Sequence, residues 1–337
     1  MIHRSLNVPH LVACLLVGAT AVLLCFGALV TTYDAAMAVP DWPATYGHNM
    51  FLFPFAEWFW GPWDLFLEHG HRLLGALVGL ITLALAAIVW LHSPKSSALK
   101  GTVRGLVVGA VLLVVLQGAL GGARVLLDDK TVAKVHACTG PLFFAVAVAI
   151  AALTGRREVS ALAASPAASW TSIGLLAAAY VQLVAGAQLR HLDVATVAPA
   201  TFRWLVVFHV LGAVAVTALA FAAAVCCRGQ ASPGARRWSL AIAGLVCCQV
   251  ALGIGAWFVS WGIPSGWLPA AWMPSEPLAA RSAGGAAVIT GHVVLGMLIL
   301  GVAVALAIAT GLFAGRATRV ALQSRPPRDG RPERAYA

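Results

Sequence analysis

Apolar residues in this chain run for about twenty positions at a time, with no period-two alternation and few interruptions by charge. Eight such runs occur, at roughly residues 11–31, 69–92, 103–123, 132–154, 169–189, 203–225, 238–260 and 286–314. A helix rises about 1.5 Å per residue, so about 20 residues cross the ~30 Å hydrocarbon core of a bilayer. The pattern predicts eight transmembrane helices, here called spans one to eight, and an all-α polytopic membrane protein. Ala36-Met37-Ala38 after span one resembles a small-residue cleavage site, but the apolar core before it is longer than that of a signal peptide. Span one is therefore read as a membrane helix.

The polar segments between the runs set the expected orientation. Arg4, Lys95, Lys100, Arg104, Arg156, Arg157, Arg228, Arg236, Arg237 and the six arginines after residue 315 lie on one side. Arg72, Arg124, Lys130, Lys134, Arg190, Arg203 and Arg281 lie on the other, with nine of the twelve acids. Positive-inside then places both termini in the cytoplasm, and spans two, four, six and eight enter from the outer face. Residues 316–337 read as a basic, disordered cytoplasmic tail. A chain that is 61% hydrophobic and 10% charged is no soluble domain. Its net charge of +10 sits in short loops and the tail, so it is read as a topology signal and not a nucleic-acid surface. The seven cysteines fall in apolar stretches or at their inner ends, without C-x-x-C. That argues against a disulfide framework, a zinc site and covalently attached haem.

The chain repeats itself. Gln117-Gly118-Ala119-Leu120-Gly121-Gly122 in span three and Gln249-Val250-Ala251-Leu252-Gly253-Ile254-Gly255 in span seven share Q-x-x-L-G followed by another glycine. Each precedes an outer loop and a helix with a histidine near its outer end. The expectation is two tandem four-helix bundles, residues 1–160 and 161–315, related by a pseudo-twofold axis along the membrane normal. The glycines permit close approach either of another helix or of a flat ligand. The longest outer loop, about 33–67, is rich in aromatic and turn residues and reads as an interfacial lid.

Chemistry concentrates at the outer helix ends. His71, His136, His209 and His292 lie on spans two, four, six and eight, one apiece. Zinc usually takes four ligands from one compact locus, whereas two pairs, one per repeat, suggest two sites. A histidine pair with glycines alongside and little other polarity suits haem, which needs imidazole ligands and an apolar slot. Arg72, Arg124, Arg190 and Arg203 at the same edge are candidate partners for its propionates. Glu68 shares a helical face with His71 and Arg72, three and four residues on. The positions three before the other histidines hold Ala133, Val206 and Ile289. An acid thus stands beside one pair alone, where it can accept a proton or stabilise developing positive charge.

At these residues the chain resembles the haem A synthase family, the CtaA-type cytochrome oxidase assembly proteins. The resemblance is carried by Glu68-x-x-His71-Arg72, by Val39-Pro40-Asp41-Trp42-Pro43 with Thr45-Tyr46-Gly47, by the Gln117-to-Gly122 run and by the four histidines on eight spans. It covers roughly residues 10–314. It implies oxidation of the position-8 methyl of haem O to a formyl group for terminal oxidase assembly. By position, His71, His136 and Arg72 would face the substrate haem, with Glu68 as the catalytic carboxylate. His209 and His292 would ligate a resident haem b that relays electrons. The resemblance also implies a bacterial-type cytoplasmic (inner) membrane, an electron donor, and a haem O synthase (protohaem farnesyltransferase) as partner. Two features depart from the family. The outer-loop cysteine pair of some branches is absent, and the usual arginine after the first helix is replaced within Val30-Thr31-Thr32-Tyr33.

Two other readings stand beside this one. A two-haem membrane cytochrome acting only in electron transfer explains the histidines and gives Glu68 no task. A transporter or assembly scaffold without a redox centre explains neither.

Overall fold

The computed structural model describes residues 7–92, 99–155, 164–193, 196–230, 232–263 and 280–313. His3, Arg4, Lys95, Arg156, Arg157, the side chain of His92 and the basic tail lie outside the described residues.

The elements run α1 (Val8–Thr32), β1 (Ala44–Thr45), β2 (His48–Asn49), α2 (Phe55–Phe59), α3 (Trp63–His92), α4 (Lys100–Leu127), α5 (Lys130–Thr154), α6 (Pro166–Arg190), α7 (Pro199–Cys227), α8 (Pro233–Trp261) and α9 (Ala283–Ala309). All the helices but α2 are long and apolar enough to cross a membrane, eight in all among the described residues. The protein is an all-α integral membrane protein. Each helix begins a few residues before its apolar run, and in several a polar cap carries the first turn beyond the apolar stretch, whereas α9 ends at Ala309, short of residue 314. Asp129, Ser165, Ser232 and Ser282 accept first-turn N–H groups of α5, α6, α8 and α9. Proline opens α6, α7 and α8, where the missing N–H costs nothing. The largest departure is α3, which begins at Trp63 and not near residue 69. Glu68 therefore lies in its second turn, held by helix on both sides.

Helix α1 packs on α3 and α5, α3 on α4, and α4 on α5; likewise α6 packs on α7 and α9, α7 on α8, and α8 on α9. Contacts of α9 with α1 and α5 join the two groups. Lipid is as apolar as the helices, so their association rests on close van der Waals packing of small residues. In α9, Leu300, Gly301 and every residue from Ala303 to Ala309 are buried. A Cβ on Gly301 would lie 2.8 Å from Phe144 of α5. Buried hydroxyls stay paired: Thr20, Thr82 and Ser172 each return to the carbonyl four residues back at 2.7 Å. At the hairpin end, Arg190 of α6 donates to Ala28 O and Thr32 Oγ1 of α1, and Thr32 Oγ1 lies 3.2 Å from Thr290 Oγ1 of α9.

Candidate functional site

The structure brings the four predicted histidines together in two pairs. His71 on α3 and His136 on α5 have ring centroids 6.5 Å apart with planes at 82°. His209 on α7 and His292 on α9 are 6.3 Å apart at 71°. Metal–imidazole bonds of about 2.0 Å and about 1.1 Å from nitrogen to ring centre put two rings on opposite sides of one metal roughly 6.2 Å apart. Both pairs have that spacing. Among the described residues no cluster of three or more His, Cys, Asp or Glu could hold a metal ion.

Each ring is seated against a glycine on the neighbouring helix. A Cβ added at Gly27 would lie 3.1 Å from His71 Cε1, at Gly121 3.4 Å from His136 Cε1, at Gly186 3.2 Å from His209 Cε1 and at Gly253 2.9 Å from His292 Cε1. The glycines of the repeated motif thus make room for an imidazole ring. Gly27 and Gly186 escaped the sequence reading, although Gln182-x-x-x-Gly186 in α6 repeats the spacing of Gln117-x-x-x-Gly121 and Gln249-x-x-x-Gly253. The imidazoles differ in what surrounds them. His292 Nδ1 lies 3.2 Å from the carbonyl of Gln249 and His209 Nδ1 3.1 Å from the Gln182 amide. The Nδ1 atoms of His71 and His136 are buried and face the carbonyls of Leu23 and Gln117 in the same register, without reaching full hydrogen-bond geometry.

Glu68, only 3% exposed, is bound on both oxygens. Oε1 accepts from Arg72 Nη2 at 2.8 Å and Oε2 from the backbone N–H of Val39 at 2.9 Å. Arg72 also donates to the carbonyls of Val39, Asp41 and Ala44 at 2.6–2.9 Å. Its guanidinium is thus committed to Glu68 and to the loop. Arg124 Nη2 donates to Ala36 O at 2.9 Å, whereas Arg203 is exposed.

The same loop is fastened at two further points. His69 is buried; its Nδ1 lies 3.0 Å from Thr45 Oγ1, and its ring packs against Phe53 and Trp58. Trp42 lies flat on Gly122 of α4, where a Cβ would come within 2.5–2.7 Å of its ring. Inside the loop, the Asp41 carboxylate accepts the N–H groups of Tyr46 and Gly47 at 2.9 and 2.7 Å. Burial pushes this carboxyl up, but those two bonds and the Arg72 charge outweigh it and hold Asp41 below the ordinary value of 3.8. At the end of α6, burial and then the cations Arg190, Arg124 and Lys134 push His191 down to about 4. The rim beside the first pair is therefore electropositive, with His191 neutral at pH 7.

Residues 62–268 match the family model COX15-CtaA, described as a cytochrome oxidase assembly protein. The match takes in Glu68, His71, His136 and His209 and stops short of His292. Over 186 residues the chain is 31% identical to the heme A synthase of Symbiobacterium thermophilum, covering 51% of this chain and 57% of that protein. Over 208 residues it is 27% identical to the heme A synthase of Alkalihalophilus pseudofirmus, covering 59% of this chain and 64% of that protein. The matched stretches thus span less than two thirds of either relative.

Proposed function

The chain belongs to the COX15-CtaA family of cytochrome oxidase assembly proteins, and from that premise we propose that it is a membrane haem A synthase. Its substrate is haem O, whose position-8 methyl gives up two hydrogens for one oxygen atom, a net four-electron oxidation for which both the oxygen atom and the oxidant come from outside the chain. The observation that carries the reading is two imidazole pairs at 6.5 and 6.3 Å, each ring seated on a glycine, with a carboxylate beside one pair alone. These residues fit haem: the spacing suits axial ligation, and each glycine leaves room for a ring.

His71 and His136 face the substrate haem, and His209 and His292 hold a resident haem b. Bound haem b supplies reversible one-electron chemistry for relay. Glu68, fixed by Arg72 and Val39 N–H, presents a carboxylate that accepts a proton or opposes positive charge at the reacting edge. Arg72 serves the substrate indirectly, by holding Glu68 and the Val39–Ala44 segment. Arg124 and Arg190 are the better candidates for the propionates, since each spends Nη2 on hydroxyl or carbonyl groups of α1 and the loop and keeps the rest of its fork. Residues 1–160 form the substrate half and 161–315 the resident-haem half, as two tandem bundles about an axis along the membrane normal. The protein sits in a cytoplasmic-type membrane with both termini inside, takes haem O from a haem O synthase, and meets an electron donor.

A two-haem cytochrome remains the second reading, favoured by one finding: Glu68 has a structural task on the loop whether or not it takes part in chemistry. Purified protein supplied with haem O, oxidant and reductant, followed by mass analysis of the extracted pigment, separates the two. Formyl-haem is expected from the wild type and not from Glu68→Gln. Retained haem without formyl product in the wild type refutes the synthase.

A further inference from the structure

Four histidines face four glycines, but only three glutamines accompany them. The residue four before each glycine is Gln117, Gln182 or Gln249 for His136, His209 and His292, and Leu23 for His71. Each glutamine ties its helix to the helix of the histidine it faces, and two of them do so at the histidine's own carbonyl. Gln182 Nε2 donates to the His209 carbonyl at 2.8 Å and Gln249 Nε2 to the His292 carbonyl at 3.0 Å. Gln117 reaches only as far as the helix of His136, its amide donating to Thr139 Oγ1, whose own proton goes to the Val135 carbonyl at 2.8 Å.

The glutamines also cover the glycine one turn beyond each histidine. A Cβ on Gly140, Gly212 or Gly296 would lie 3.8, 2.1 or 3.2 Å from Gln117, Gln182 or Gln249. A Cβ on Gly75, one turn beyond His71, would meet nothing within 4 Å. Leucine has no donor to offer. Among the described residues His71 is the one ring of the four that faces no glutamine and has open space at the glycine one turn beyond it.

We propose that Leu23 is a positioning residue that makes the first histidine pair an exchangeable site, while the glutamine ties make the second pair a lasting one. The inference rests on the haem reading above and adds to it the reason one half releases what it binds. A ligand held by a fixed outer shell keeps its axial geometry through thermal motion. An untied helix with open space beside it moves at little cost, and affinity differences between related sites appear mainly in dissociation rates.

The test uses the full chain in detergent, loaded with iron protoporphyrin IX as probe and mixed with excess apomyoglobin, with haem release followed in the Soret band. Two phases are expected, the fast one abolished by His71→Ala and the slow one by His292→Ala. Leu23→Gln should slow the fast phase about tenfold, the upper range for one added hydrogen bond, and Gln249→Leu should speed the slow phase comparably. Leu23→Met, which keeps an apolar side chain, should change neither. The slow phase of Leu23→Gln reports that the variant is folded. A fast phase unchanged in Leu23→Gln, or a slow phase unchanged in Gln249→Leu, overturns the proposal. Equal release from both pairs in the wild type overturns it and leaves the haem reading standing, whereas no haem uptake at either pair sinks both.

Discussion

Replacing Gly253 by alanine tests whether the glycines exist to seat the imidazoles. The new Cβ would lie 2.9 Å from His292 Cε1 and 3.3 Å from Nδ1. Carbon–carbon contact is comfortable at about 3.5–4.0 Å, so the ring must retreat by about 0.6 Å or more. Metal–ligand distances tolerate only about 0.2 Å, so the retreat cannot be absorbed by stretching an axial bond. Overpacking of this kind costs about 1–3 kcal/mol, which at about 1.4 kcal/mol per decade is a loss of roughly 5- to 150-fold in haem affinity. Alanine is the better helix former by about 1 kcal/mol, so α8 itself does not suffer. Gly244 on the same helix has nothing within 4 Å of its would-be Cβ and supplies the control. Haem per chain after purification, with the reduced spectrum, is the readout. Gly253→Ala should lose haem, Gly121→Ala, whose Cβ would lie 3.4 Å from His136 Cε1, should lose less, and Gly244→Ala should lose none. Full haem content with unshifted reduced bands in Gly253→Ala would refute the seating argument.

Other expectations follow from the loop. Gly122→Ala puts a Cβ within 2.5–2.7 Å of the Trp42 ring, so limited proteolysis should cut between residues 38 and 52 faster than in the wild type. Glu68→Ala strands the buried Arg72 charge at a cost of about 3–5 kcal/mol and should free the loop. Glu68→Gln keeps an acceptor for Val39 N–H, so loop protection should survive better than in Glu68→Ala even as product formation falls. Asp41 is held below 3.8 by the N–H groups of Tyr46 and Gly47. The order it confers is therefore complete above its unfolded pKa and lost as pH falls through the depressed folded value. Tryptophan emission from the loop should be flat from pH 7 to about 5 and change only in stronger acid. Asp41→Asn should lack that acid step.

The eight helices were legible in the sequence because bilayer thickness fixes the length of an apolar run, whatever its partners. The four histidines were legible too, since a polar side chain repeated once per even-numbered span stands out against an apolar ground. The start of α3 was not legible, because the aromatic segment Trp63–Leu67 reads equally as interfacial loop or helix. Nor was the work of Arg72. A guanidinium at a helix end suits propionate, cap or loop, and only the fold shows three loop carbonyls converging on it. The Gly27 and Gly186 seats and the His69 anchor depend on which helices are neighbours and how each is rotated about its axis. One-dimensional spacing records the face on which a residue lies; the side chain it meets there is decided by packing between segments more than forty residues apart in the sequence, as for Gly27 and His71 or Trp42 and Gly122.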